Sequence, residues 1–144
     1  MTEYLNETCA DAGYVCGRLL SVLAYVQAFA QDKRQHGYGA GAQIVERFYG
    51  SASTAPRSVF PVLLRMNRHH LRKLADESPG FVTNREKEIE ELMCLLKKGG
   101  EGCPDFPSLL DLKTQGRFAL GFYHQRAEFR LTASEKSEAK TVVA

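Results

Sequence analysis

The chain has 144 residues, of which 44% are hydrophobic and 25% are charged, as expected for one compact globular domain. Its 19 Lys and Arg nearly balance its 17 Asp and Glu, and the net charge of +2 excludes strong attraction to nucleic acid through total charge alone. Any surface that binds negative charge must therefore be local.

The cysteine content favours a reduced, cytoplasmic protein. The sequence contains four cysteines, Cys9, Cys16, Cys94 and Cys103. They do not show the paired short spacing of a zinc ribbon, and no signal peptide is recognisable. The longest apolar run is interrupted by Arg18, Ser21 and Gln27, so we expect it to be too polar to span a membrane.

Five segments carry apolar residues at helical spacing. In chain order, helices are predicted at about residues 10–33, 42–49, 55–77, 83–98 and 108–130. A glycine-rich connector at 36–41 joins the first two. No segment alternates as a strand does, so the predicted fold is all-α, a compact bundle of about five helices. We expect a single domain at 1–131 and a disordered polar tail at 132–144.

Short signals predict where the helices begin and end. We expect Gly50 to end the second helix, and Ser53 or Thr54 to cap the third. The third helix is expected to end at Ser78-Pro79-Gly80. The fourth is expected to begin at Thr83-Asn84-Arg85-Glu86, which matches a capping box.

The third predicted helix has a polar face that is purely cationic. Between Arg57 and Lys73 the sequence contains no Asp or Glu. At about 100° per residue, four arginines fall within about 80° of one another. These are Arg57, Arg65, Arg68 and Arg72. Because a planar guanidinium group can donate two hydrogen bonds to two phosphate oxygens, this face favours the phosphate backbone of a nucleic acid.

A solvated helix face explains the same residues equally well, since exposed helix faces are usually charged. The fourth predicted helix shows the pattern that is usual for a solvated face. Glu and basic residues alternate between Arg85 and Lys98, at spacings of three or four residues that allow opposite charges to pair. The third helix differs from the fourth because it has no acidic residue between Arg57 and Lys73 to balance its arginines. Both interpretations stay open at this point.

The fifth predicted helix carries a second basic stripe. Lys113, Arg117 and His124 share one side, while Gly116 and Gly121 permit close approach of another backbone. A solvated face again explains the stripe, but the third and fifth helices would form one basic groove if they packed side by side. The candidate nucleic-acid-binding residues are Arg57, Arg65, Arg68, Arg72, Lys73, Lys113 and Arg117.

The sequence favours neither a metal site nor catalysis. The adjacent His69 and His70 point about 100° apart on a helix, so they do not face one ion together. The turn at 50–54 suits an anion at a helix N-terminus, but it lacks the pattern of a P-loop, and a tight interhelical turn explains it as well. Asp105 and Asp111 are isolated acids, and we expect no catalytic residues and no cofactor.

Several motifs resemble a known family. They are Gly17-Arg18-Leu19-Leu20-Ser21-Val22-Leu23, Arg47-Phe48-Tyr49-Gly50-Ser51-Ala52-Ser53-Thr54-Ala55-Pro56, Val59-Phe60-Pro61-Val62-Leu63-Leu64-Arg65, His69-His70-Leu71 and Phe118-Ala119-Leu120-Gly121-Phe122-Tyr123-His124-Gln125-Arg126. Over residues 14–126 they resemble the C-terminal region of the large subunit of the subtype I-C (Dvulg) CRISPR Cascade complex. The methionine just before this region is similar to the start of the separately made small subunit, which is translated from within the large-subunit gene.

The resemblance implies a helical bundle present in several copies along the belly of a crRNA-guided complex. It implies contacts with the backbone and large subunits, with further copies of itself, and with crRNA and the DNA strands of the R-loop. It implies no nuclease activity, because a recruited helicase-nuclease performs cleavage. In such complexes base pairing reads the sequence, while the protein holds strands by charge and shape.

The leading expectation is therefore a non-catalytic small subunit that stabilises the R-loop. The alternative is a helical scaffold that bridges protein subunits and touches no nucleic acid. Its arginines would then dock on acidic protein surfaces.

Overall fold

The computed structural model describes residues 5–35, 42–97 and 105–143, with side chains described for 5–30, 45, 47–97 and 105–129. This part of the chain contains five helices, α1 (Ala12–Gln35), α2 (Ala42–Thr54), α3 (Pro56–Leu74), α4 (Pro79–Leu95) and α5 (Leu112–Val143). No strand occurs in the described ranges. The predicted all-α fold of five helices is confirmed. The predicted connector at 36–41 and Cys103 lie outside the described residues.

Helix α1 forms the centre of the bundle and packs against each of the other four helices. Its regularly spaced apolar residues, among them Val15, Leu19 and Leu23, are buried. The window Ala12–Ala30 has a mean hydropathy of 1.2 and is long and apolar enough to cross a membrane, contrary to the expectation from Arg18 and its other polar residues. Burial accounts for this composition, because 72% of the window is buried inside the protein, as expected of a core helix.

Helices α1 and α5 approach so closely that a Cβ atom on any of three glycines, Gly13, Gly17 and Gly121, would overlap the other helix, most severely at the last two. A Cβ atom on Gly17 would overlap the carbonyl oxygen of Phe118. A Cβ atom on Gly121 would likewise overlap the carbonyl oxygen of Tyr14. Both glycines are therefore required by the contact between the two backbones, as the sequence predicts for Gly121.

The two helices also run in the same direction. Near the start of both, Arg117 Nη1 donates to Asp11 Oδ2 at 2.8 Å. Further along both, the rings of Tyr25 and Phe129 stack with their centroids 4.3 Å apart. The first and last helices thus form a parallel pair, and the other three helices pack around α1.

The end of α2 differs from the prediction. The helix does not stop at Gly50 but continues to Thr54. The hydroxyls of Ser53 and Thr54 donate to the carbonyl of Gly50 at 3.0 and 2.9 Å. Both hydroxyls therefore form hydrogen bonds within the last turn of α2, and neither residue caps α3.

Helix α3 begins without a capping side chain. Its N-cap is Ala55, and Pro56 at the first helical position has no N–H to satisfy. The next amide, that of Arg57, donates to the carbonyl of Pro107 at 3.0 Å. A distant loop thus supplies the acceptor that the sequence analysis expects from Ser53 or Thr54.

Helix α4 begins at Pro79, one turn before the predicted start at Thr83. Proline suits the first turn because its fixed φ is helical and its missing N–H is not needed there. The hydroxyl of Thr83 donates to the carbonyl of Pro79 at 2.9 Å inside the helix, so the predicted capping box does not form. The predicted end signal at Ser78-Pro79-Gly80 is instead the start of α4, and α3 ends at Leu74.

Helix α5 begins at Leu112 and continues to Val143, past the predicted end at Arg130. The additional residues include neither Gly nor Pro, so nothing local stops the helix. The backbone is helical through most of 132–144, where a disordered tail is predicted. The division of the chain at residue 131 into a domain and a tail stays a prediction.

Replacing Gly17 or Gly121 with alanine is expected to lower the free energy of unfolding by about 1–3 kcal/mol, because the added methyl group overlaps helix backbone. Gly116 is the matched control, since it also lies in α5 but no atom lies within 4 Å of its Cβ position. Alanine there is expected to stabilise the protein by about 0.5–1 kcal/mol. Urea unfolding measures all three variants, and equal effects at Gly116 and Gly121 would contradict the close contact.

Candidate nucleic-acid interface

Helix α3 separates a buried face from a cationic face. Its buried residues are Pro56, Phe60, Leu63, Asn67, Leu71 and Leu74. Its exposed cations are Arg57, Arg65, Arg68, Arg72 and Lys73. The buried residues recur every three or four positions and face the neighbouring helices α1, α2 and α4. Because one face is fixed against the bundle, the arginine side chains lie on the opposite, solvent-facing side.

Four of these cations have no counter-charge. In the part of the chain whose side chains are described, no hydrogen bond or ion pair engages the side chains of Arg65, Arg68, Arg72 or Lys73. The next acid in the sequence, Asp76, lies in the turn beyond the end of α3. The three guanidinium groups therefore keep their N–H donors available to a ligand.

Arg57 differs from the other cations because it holds a loop in place. Its Nε donates to the carbonyl of Phe106 at 3.0 Å, and its Nη2 lies 3.3 Å from Asp105 Oδ1. The ring of Phe106 stacks on that of Phe60 in α3, with centroids 5.1 Å apart. The Arg57 side chain is still 59% exposed, but part of its hydrogen-bonding capacity is already used.

The two candidates on α5 do not join those on α3. Helix α5 packs against α1 and α2 and not side by side with α3, so the basic groove considered in the sequence analysis does not form. Arg117 is paired with Asp11 and contributes to the α1–α5 contact. Lys113 is exposed near the start of α5. The seven candidate residues therefore divide into a helical face on α3 and two separate positions on α5.

The two histidines of α3 have different surroundings. His69 is exposed beside the arginines, whereas His70 is half-buried, and their ring centroids are 6.2 Å apart. Burial lowers the pKa of His70, and neighbouring His69 and Lys73 lower this pKa further. Among the described residues, no three His, Cys, Asp or Glu side chains are arranged to hold a metal ion.

The sequence analysis missed a cleft between α1, α4 and α5. It places Arg85 on a solvated face, but the structure places this guanidinium 5.1 to 5.4 Å from the ring centroids of Tyr25, Phe81 and Phe129. Arg85 Nη2 also donates to Glu88 Oε1 at 2.7 Å. The three rings come from three different helices, so no local sequence pattern brings them together.

A family model described as "CRISPR-associated protein (Cas_Csd1)" matches residues 1–130. The match extends from the N-terminus through the part of α5 whose side chains are described, and so includes the α3 face and the α1–α5 contact. The chain belongs to the Cas_Csd1 family. Among curated proteins, none matches the sequence.

Membership of the Cas_Csd1 family supports the resemblance at the level of CRISPR-associated proteins. Two of the motifs that carry the resemblance have clear structural roles. The motif at 47–56 contains the α2–α3 junction, and the motif at 118–126 packs α5 on α1. In the second motif, Phe118 and Phe122 are buried, and Gln125 Oε1 accepts a hydrogen bond from Arg18 Nε.

The free energy of unfolding is expected to fall as the pH drops below about 6.5, the ordinary pKa of histidine. Because folding lowers the pKa of His70, the unfolded state binds more protons than the folded state in the window below that value. Replacing His70 with glutamine should make stability less sensitive to pH between about 5 and 7. Urea unfolding across this range measures the effect, and identical pH profiles for the two proteins would contradict it.

Proposed function

We propose that this Cas_Csd1-family chain is the non-catalytic small subunit of a type I-C Cascade complex in the cytoplasm. In this proposal the cationic face of α3 holds the backbone of a DNA strand and so stabilises the R-loop. The observation that carries the proposal is the unpaired state of Arg65, Arg68, Arg72 and Lys73 on one exposed helix face. The family match supports the CRISPR-associated class to which such a subunit belongs.

The spacing of the arginines suits consecutive phosphates. Arg65 and Arg72 lie about 10 Å apart along the helix axis, with Arg68 between them. Since a B-form strand advances about 3.4 Å per nucleotide, this stripe extends over about three nucleotides. Phe60, the only Phe, Tyr or Trp in α3, is buried, so the exposed ring beside the arginines is the imidazole of His69. Such a surface holds a strand without reading its sequence.

The small net charge fits a subunit that works only inside an assembly. A few phosphate contacts give weak binding by one free chain, but several copies along one strand sum their contacts. The proposal therefore includes further copies of the chain, the backbone and large subunits, and crRNA as partners. Arg57 and Arg117 have secondary roles in it, because Asp105 and Asp11 already engage them.

Replacing both Arg68 and Arg72 with glutamine is expected to weaken target DNA binding by the assembled complex about tenfold or more, since two charge-assisted contacts are lost in each copy. The slope of log K against log salt should become shallower by about 1.4 for each copy that contacts single-stranded DNA. Binding measured across a salt series tests both expectations.

The matched control replaces Lys87 and Arg126 with glutamine, which changes the net charge equally at exposed sites outside α3. This control should leave affinity and slope unchanged. Equal weakening by both double variants would mean that only total charge matters. Failure of the Arg68 and Arg72 variant to assemble, with a normal fold, would favour the protein-bridging scaffold.

The proposal includes no catalytic step by this chain. Incubation of the purified chain with labelled single-stranded and double-stranded DNA, with and without divalent cations, is expected to give no product. Turnover that persists after repeated purification would contradict a non-catalytic subunit.

A further inference from the structure

A cluster of exposed apolar side chains lies at the start of α5 and along its outer side. In the part of the chain whose side chains are described, five large apolar residues are exposed, and four of them are Leu109, Leu112, Leu120 and Tyr123. The fifth, Val62, lies on α3. Single exposed apolar residues are normal on a protein surface, but a contiguous group of them marks a site of interaction.

The exposed residues of α5 form one continuous face, called here the outer stripe. Its members are Leu112, Gly116, Leu120, Tyr123 and Ala127, and all five are exposed. They follow one another every three or four positions, and at 100° per residue they fall within about 80° of one another. The stripe is about 22 Å long. Helix α5 therefore has two apolar faces, one buried on α1 and one directed outward.

Gly116 leaves a gap in the middle of the outer stripe. Contacts with the opposite helix explain Gly13, Gly17 and Gly121, because a Cβ atom on any of them would overlap that helix. No atom lies within 4 Å of the Cβ position of Gly116. Glycine inside a helix is less favourable than alanine, and no contact among the described residues compensates for it here. The gap lies one turn from Leu112 and from Leu120, and it leaves room for another backbone.

The buried side of α5 shows which kind of element fits such a gap. There Gly121 lies against the carbonyl of Tyr14 in α1, and the buried residues Phe118 and Gln125 lie one turn on either side of it. The outer stripe repeats this arrangement around Gly116. A helix can bring its backbone into such a gap, whereas a lipid surface gains nothing from it. The arrangement therefore favours a helix as the occupant.

The charges beside the outer stripe are positive. Residues 112–127 include no Asp or Glu, and their charged residues are Lys113, Arg117 and Arg126. Arg117 is paired with Asp11. Among the described residues, no hydrogen bond or salt bridge engages the side chains of Lys113 and Arg126, which are both exposed. A basic rim around an apolar centre favours an acidic partner.

The same charges disfavour a second copy of this chain on the outer stripe. Contact between the α5 helices of two copies would bring Lys113 and Arg126 of one copy toward the same cations of the other. Like charges placed against each other at an interface are unfavourable. A helix of another protein that carries Asp or Glu beside its apolar residues has no such cost.

We propose that the outer stripe docks an amphipathic helix of a partner protein. The docked helix has small and apolar residues every three or four positions and acidic residues on their flanks. Leu112, Leu120 and Tyr123 contact its apolar face, Gly116 admits its backbone, and Lys113 lies beside its acidic flank. This inference does not depend on strand binding by α3, because the outer stripe and the cationic face belong to different helices. The two proposals can therefore fail separately.

Titration of the full chain with three labelled helical peptides of about 18 residues, about five helical turns, tests the inference by fluorescence anisotropy. The acidic probe has Leu and Ala at the spacing of the stripe and Glu on the flanks. The second probe replaces its Glu with Lys, and the third replaces its Leu with Ser. We expect a Kd of about 10–100 µM for the acidic probe and at least about tenfold weaker binding of the other two.

Protein variants locate the contact. Leu120→Ser removes an exposed apolar side chain from the stripe and should weaken the acidic probe about tenfold. Val62→Ser is the matched control, since it removes an exposed apolar side chain from α3 and should leave probe binding unchanged. Equal weakening by both variants would contradict a specific site on α5.

Gly116→Gln separates docking from folding. The added side chain meets no atom of the chain, and glutamine favours a helix more than glycine does, so the melting temperature should not fall. The same side chain fills the gap and should weaken the acidic probe about tenfold. Unchanged probe binding in this variant would show that no backbone enters the gap and would overturn the proposed geometry.

Three further results would overturn the proposal. The first is absence of acidic-probe binding at about 1 mM, or equal binding of all three probes. The second is a dimer of the free chain, measured by sedimentation equilibrium, that dissociates in Leu120→Ser, because a second copy would then cover the stripe. The third is binding to vesicles of phosphatidylserine and phosphatidylcholine that is lost in Leu120→Ser, which would identify a lipid surface as the occupant.

Discussion

The close contact between the backbones of α1 and α5 determines most of this structure. Gly17 and Gly121 allow each helix to lie against a carbonyl group of the other, and any larger residue would separate them. Once this distance is fixed, polar contacts from the two helices come within hydrogen-bonding range. The pairs are Asp11 with Arg117, Tyr14 with His124 and Arg18 with Gln125. The last helix therefore completes the core around α1, and its motif residues are explained by packing before any ligand is considered.

The cationic face of α3 follows from this arrangement. Because α1 occupies the centre, α3 buries Phe60, Leu63 and Leu71 toward the bundle, and its arginines must lie on the outside. A solvated helix ordinarily gains stability from opposite charges one turn apart. Helix α3 contains no acidic residue that could form such a pair along its exposed face. Like charges so close together disfavour the isolated helix slightly, so their presence favours a function that uses them.

The sequence predicted features that depend on local periodicity. The fold class and the two faces of α3 follow from apolar residues at helical spacing, which tertiary contacts did not alter. The helix boundaries were missed because distant atoms satisfy them, as when the carbonyl of Pro107 accepts the amide of Arg57. For the same reason the sequence could not show that Asp11 engages Arg117, or that Arg85 lies among rings from three helices. Periodicity identifies an exposed cation, but only the packing shows whether its charge is already paired.

The difference between paired and unpaired cations determines how a nearly neutral protein could bind nucleic acid. With a net charge of +2, the long-range field of the chain is weak, so encounter with DNA cannot depend on steering by total charge. Arginines already held by Asp11 or Asp105 add little to a phosphate contact, since binding would first have to displace an existing partner. The unpaired side chains of α3 have no such cost, but each copy offers only a short stripe of them. In the proposed function, affinity then rises mainly through the number of copies aligned on one strand. On that proposal, the chain would bind DNA where an assembly positions it and would have little affinity for nucleic acid elsewhere.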